Sequence, residues 1–126
     1  IEKACSRSVG LSPDALIGMG SMARAAVDPD VNIDPLWKVS LVYGMPCSVY
    51  HQFPSVYYLT AHCGSDFESA VLGAVNSGGQ NQARALLTGA LAGAVAGVDG
   101  IPQRFIDGLN RGPEYLELAR SIAARV

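Results

Sequence analysis

From Ala85 to Val98 the chain runs fourteen residues without a charge, between Arg84 and Asp99. Within that run Ala85, Gly89, Gly93 and Gly97 recur at every fourth position, which puts them on one face of a helix. Glycine costs about 1 kcal/mol against alanine in a helix interior. A glycine stripe therefore implies close approach of another backbone, and the pattern predicts a buried central helix. Gly78 and Gly79 ahead of it can turn the chain tightly, and the polar triplet Gln80, Asn81 and Gln82 falls in the first turn. Asp99-Gly100 is predicted to end it, since glycine suits the left-handed residue after a helix.

The remaining pattern is also helical. Ile1 to Arg7 reads as the tail of a helix, and Ser12-Pro13-Asp14 as the start of another. There Ser12 is the N-cap, Pro13 the first helical residue and Asp14 lies near the positive dipole end. That helix runs to about Ala26 and buries Leu16, Ile17, Met19 and Ala23. Asp28-Pro29-Asp30 and Asp34-Pro35 punctuate a loop. Pro35 to Tyr43 fits either a short helix or an extended segment. Gly44-Met45-Pro46-Cys47 breaks the chain, and Phe53-Pro54-Ser55 starts a helix to about Ala61. Ser65-x-x-Glu68 forms a capping box for a helix from Asp66 to about Val75. Pro102 opens a short helix carrying Phe105, Ile106 and Leu109. Pro113 opens the last, in which Tyr115, Leu116, Leu118, Ala119, Ile122 and Ala123 make a broad apolar face. On its polar side Glu117 and Arg120 form an i,i+3 pair. No hairpin signal and no repeat interrupts this, so the fold class is all-α, a helical bundle.

Composition narrows the class further. The 126 residues fit one domain or a piece of one, and 49% apolar residues suffice for a core. A net charge of −2, with no basic run, argues against nucleic-acid binding. The uncharged run is shorter than the ~20 residues a spanning helix needs, so no membrane span is expected. The N-terminus lacks the shape of a signal peptide. Opening on Ile1 rather than methionine, the chain is expected to be processed, trimmed or partial. Cys5, Cys47 and Cys63 are odd in number and irregularly spaced, which suits reduced thiols in an intracellular compartment.

Two constellations could carry metal chemistry. Cys47, His51, His62 and Cys63 invite a zinc site, but paired short spacings are absent, and a core thiol with histidines at helix ends is favoured. Asp28, Asp30 and Asp34 could hold a cation. The glycine and distal glutamate of an EF-hand loop are missing, so a solvated linker is favoured. Cys63 beside His62 is adjacent in sequence only, and adjacency is not catalytic geometry.

The residues Gly78-Gly79-Gln80-Asn81-Gln82-Ala83-Arg84-Ala85, then Thr88-Gly89-Ala90-Leu91-Ala92-Gly93-Ala94 and Ile101-Pro102, resemble the ADP-ribosylglycohydrolase family. Within it they look most like the branch that includes the J-crystallins of eye lenses. The resemblance is strongest from Gly64 to Leu109 and faint before that. N-terminally, Gly18-Met19-Gly20-Ser21 with Arg24 resembles a Gly-Asn-Gly segment of some members. A second register matches Cys5 to Ala25 to the loop and helix of the crystallin-like branch; it keeps the helix intact and is preferred. The family implies an all-α bundle holding a pair of magnesium ions and removing ADP-ribose from proteins or small molecules. Residues 1–126 then form a single partial domain resembling its C-terminal portion.

Where family members carry Gly-Gly-Asp, this chain has Gly78-Gly79-Gln80, and Gln82 stands where some carry a second aspartate. Hard cations want anionic oxygens, so the motif is degenerate, no metal is expected and no residue is assigned a catalytic role. Gly78, Gly79, Asn81 and Arg84 remain candidates for ligand binding. The family's other metal ligands lie in an N-terminal half without counterpart here. The expected function is a non-catalytic module acting as a structural or accessory subunit, with another protein chain covering an exposed apolar face. The alternatives are a magnesium-dependent ADP-ribosylhydrolase completed by a partner chain, or ADP-ribose or nucleotide binding without turnover. Against the last stands a plainer account of Gly78-Gly79, a tight turn into a core helix.

Overall fold

The computed structural model describes residues 24–125. Among these the ordered elements are all helical. They are α1 (Val39–Tyr43), preceded by a 3-10 turn at Leu36–Lys38, α2 (Val49–Cys63), α3 (Phe67–Asn76), α4 (Asn81–Ala96), α5 (Gln103–Asp107) and α6 (Gly112–Ala123), with a second 3-10 turn at Val98–Gly100. Of the helix expected from Ser12 to Ala26, Arg24, Ala25 and Ala26 fall in this range: the first two are helical and Ala26 lies in the turn that follows; Ser12, Cys5 and the Gly18 segment lie outside it.

Helices α2, α3 and α4 pack on one another, and α1 closes over α2. One core cluster joins Ala26, Val39, Tyr58, Leu59 and Ala74. The buried Tyr58 hydroxyl accepts the Ile33 N–H at 3.1 Å, so its polar end is satisfied inside the apolar cluster. A second cluster gathers Phe67, Ala70 and Ala92, with Ile101 and Phe105 against it. Phe67 meets Phe105 edge-on at 5.4 Å, which ties α5 to the body. Arg104 of α5 also bonds Glu68 of α3.

Several boundaries differ from those expected. Helix α2 begins at Val49, ahead of Phe53, and carries Pro54 in its interior. Proline there removes a backbone donor and costs about 3 kcal/mol. The helix persists because Gln52, Ser55, Val56, Tyr58, Leu59 and Thr60 are all buried, and tertiary packing outweighs local propensity. At α3 the cap is Asp66 rather than Ser65: its carboxylate accepts the Ser69 N–H at 3.0 Å. Glu68 is thereby free to face Arg104. Helix α4 ends at Ala96, with Gly97 at φ 73° donating to Gly93 O, so Asp99-Gly100 belongs to the following 3-10 turn.

The central stripe is also rotated by one position. Arg84, Thr88 and Ala92 are the buried residues of α4. The Ala85-Gly89-Gly93 face is only half-buried. A Cβ placed on Gly89 would meet Val71 at 3.8 Å, and one on Gly93 would meet Phe67 and Ile101 at 3.7 Å. Those are ordinary contacts with side chains, not a backbone pressed close. A tighter position in this packing is Gly73 in α3, where a Cβ would lie 3.1 Å from Leu59.

Helix α6 starts at Gly112 with Pro113 in its first turn, as its sequence implies. Its apolar face, however, is not enclosed. Tyr115, Leu118 and Ile122 are 57%, 56% and 57% exposed. Leu116 and Ala119 line one side of an apolar groove of about 380 Å³, with Gly89, Ile101 and Phe105 among the residues opposite.

Candidate functional site

The loop between α3 and α4 is built from backbone constraint. Gly78 and Gly79 both hold left-handed conformations, φ 70° and 60°, which glycine adopts without steric cost. Beside Gly78 a Cβ would meet nothing within 4 Å, so the space there is open. Beside Gly79 a Cβ would fall 2.7 Å from both Cβ and O of Met45. The same Met45 carbonyl accepts the Gln80 N–H at 3.1 Å. Gln52 steadies that segment by donating from Nε2 to Pro46 O at 2.7 Å. At the other end of the loop the Ser40 hydroxyl donates to Ser77 O at 2.5 Å, and Ser77 in turn to Gly73 O at 2.5 Å. None of Met45, Gln52 and Ser40 stood out as a site residue in the sequence. The break at Gly44-Met45-Pro46 was the one local signal of a segment able to lie against another loop.

Two candidate ligand contacts turn inward instead. Asn81 donates from Nδ2 to Val75 O at 3.1 Å. Arg84 is 0% exposed, and its Nη1 donates to Gly78 O at 3.0 Å and Ala74 O at 3.4 Å. Both side chains thus bridge the C-terminal turn of α3, whose last carbonyls have no helical partner. A cation there also suits the helix dipole. Burial pushes the Arg84 pKa below the ordinary arginine range. Its Nε and Nη2 have no hydrogen-bond partner among the described residues. Gln80 and Gln82 are exposed, and their side-chain amides bond no described residue. Helix α4 has no side-chain N-cap.

The other constellations separate. Cys47 and His51 sit at the start of α2, and His62 and Cys63 at its end. At 1.5 Å rise per residue, His51 and His62 are roughly 16 Å apart along the axis. His51 Nδ1 lies 2.7 Å from Tyr43 O and His62 Nδ1 3.2 Å from Ala26 O, so each ring is engaged by backbone. Cys63 is half-buried, and burial, then the nearby Asp66 charge, pushes its thiol up to about 11. In the acidic loop the Asp28 carboxylate accepts the Asp30 N–H at 3.0 Å, turn chemistry rather than a cage. Among the described residues no group of three or more His, Cys, Asp or Glu is placed to hold a metal ion. Among them, too, no helix is long and apolar enough to cross a membrane.

A family model described as ADP-ribosylglycohydrolase aligns with residues 5–126. No curated protein and no solved structure matches the chain.

Proposed function

The chain belongs to the ADP-ribosylglycohydrolase family, and from that premise we propose that it is a non-catalytic member, a helical module serving as a structural or accessory subunit of a larger assembly. The observation that carries this reading is the donor set of the α3–α4 loop. Gln80 and Gln82 offer neutral, exposed amides where the family resemblance calls for carboxylates. The same loop also carries the buried guanidinium of Arg84, bonded to Gly78 O. Magnesium prefers anionic oxygens and keeps its waters unless carboxylates or phosphates replace them. An amide adds no charge, and a nearby arginine repels the ion. These residues do not fit a magnesium centre, so no hydrolytic step is assigned to them.

The loop's hydrogen bonds favour a scaffolding role for the motif as well. Asn81 and Arg84 join α3 to α4, and Gly79 lets the Met45 backbone seat against the turn. Fastening residues of this kind suit a member of the crystallin-like branch, in which a fold is kept for bulk. Association with another protein chain belongs to this reading, supported by the exposed apolar residues of α6. The free thiols of Cys47 and Cys63 suit a reducing, intracellular compartment.

Assay of ADP-ribose release from ADP-ribosylated protein, with and without Mg²⁺, tests the proposal. The expected result is no magnesium-dependent release. Release that requires Mg²⁺ and disappears in Gln80→Ala would establish the enzymatic alternative instead. Size-exclusion chromatography tests the association: a stable, well-folded monomer counts against it.

A further inference from the structure

Helix α6 carries two adjacent apolar strips. Leu116 and Ala119 line the groove shared with Phe67, Ile101 and Phe105, so that strip faces the protein's own body. The second strip is Tyr115, at the groove's edge, with Leu118 and Ile122, each more than half exposed. These three stand at i, i+3 and i+7, the spacing of the a and d positions in a helix–helix seam. Such a strip matches one helix laid along another.

The charges along α6 specify which helix. Glu114 and Glu117 lie in its first half, Arg120 in its last turn and Arg125 in the turn just beyond, where its N–H still bonds Ile122 O. Arg111, ahead of the helix, is held on Glu114. Even with Arg111 counted, the first half is net negative and the second net positive. At 100° per residue, Glu114 and Arg125 flank Leu118 on one edge of the strip, at opposite ends of it. A second α6 laid antiparallel, crossing near Leu118, sets Tyr115 against Ile122 of that copy and Glu114 beside its Arg125. Laid parallel, acid meets acid and base meets base. A net charge of only −2 also leaves little repulsion between whole chains.

We infer that the exposed strip of α6 is an isologous dimer interface, in which two copies of this chain pack α6 antiparallel about a twofold axis near Leu118. The apolar strip supplies the affinity. Exposed ion pairs add little to it, but they select the antiparallel direction and disfavour the parallel one. A helix of 12 residues is only about 18 Å long, so the seam is short and the dimer depends on concentration. The inference names the partner in the association proposed above and rests on that part of the reading alone.

Sedimentation equilibrium of the full chain over a concentration series is the test. The expected result is a mass rising from one chain to two and no further. Leu118→Glu puts a carboxylate into the seam against its own twofold mate and should weaken the dimer about tenfold or more. Leu118 is exposed, so the chain should keep its fold, which circular dichroism checks. Glu114→Arg and Arg125→Glu should each weaken the dimer about fivefold. Mixing those two single variants should restore the parent affinity, because each supplies the charge that the other lacks. In a parallel pair neither single variant would weaken association, and that result overturns the inference. A monomer at every concentration overturns it as well, whether residues 1–23 or a different protein covers the strip. A dimer unmoved by Leu118→Glu overturns it while leaving association through another surface standing. The non-catalytic reading is decided separately, by the magnesium-dependent release assay.

Discussion

Gly79 and Met45 are in van der Waals contact through backbone: a Cβ on Gly79 would stand 2.7 Å from the Met45 carbonyl oxygen. That oxygen also accepts the Gln80 N–H, so the two loops are joined by both shape and hydrogen bonding. The glycine pair thus divides into two different requirements. Gly78 needs only its left-handed φ of 70°, whereas Gly79 needs both a φ of 60° and the absence of a side chain.

Alanine substitutions should separate these requirements. Gly78→Ala is expected to cost about 1 kcal/mol, the strain of a left-handed non-glycine residue. Gly79→Ala adds overpacking against backbone, worth about 1–3 kcal/mol more. Urea denaturation of both variants checks the order. Equal losses would mean that the Met45 segment moves aside freely.

Asp66 should govern the start of α3. Hydrogen bonds from the Ser69 hydroxyl and backbone N–H hold its carboxyl below the usual carboxylate range. Asp66→Ala is expected to cost about 1 kcal/mol and Asp66→Asn much less, because both Asp and Asn cap well. Ser65→Ala should be nearly silent. The folded pKa is depressed, so the stabilisation is fully present above the unfolded aspartate pKa of about 3.9 and disappears as pH falls through the folded value. Thermal melts of wild type and Asp66→Asn between pH 6 and the acid limit measure the difference.

The contact of Phe67 with Phe105 is expected to anchor α5. Phe67→Ala removes a buried aromatic ring and should cost about 3 kcal/mol. A double-mutant cycle with Phe105→Ala should return a coupling of about 0.5–1.5 kcal/mol, the usual worth of an edge-to-face pair. Additive losses would show that the rings are held apart in solution.

Thiol labelling should discriminate Cys47 from Cys63. Cys47 is exposed, while the Cys63 thiol is half-buried and pushed up to about 11. At pH 8 it holds roughly two hundredfold less thiolate than an ordinary cysteine of pKa about 8.5. Iodoacetamide should therefore modify Cys47 first, with Cys63 accelerating only as pH approaches 11 or the chain unfolds. Peptide mass mapping over time reads the two rates.

Helical class and punctuation were legible because their causes are local. Pro113 opens α6, Gly44 to Cys47 interrupts the chain, and Gly78-Gly79 turns into α4, each through its own φ/ψ restrictions. Pro54 misled for the same reason: as a local signal it marks a helix start, yet six buried residues of α2 carry the helix through it. Ser65 and Asp66 can both cap, so sequence alone left the choice open, and the Asp66 carboxylate is the one that accepts the Ser69 N–H.

Residue identities alone decided that the described elements are helical, that a double-glycine turn feeds the longest of them, and that amides occupy the positions where the family resemblance places acids. Tertiary structure decided the rest: that Arg84, Thr88 and Ala92 face inward rather than the glycines, that Asn81 and Arg84 fasten α3, and that the apolar side of α6 stays open. The reason is geometric. Periodicity defines which residues share a helix face, but a rotation of 100° exchanges one face for the next, and only the neighbouring helices determine which of them is buried.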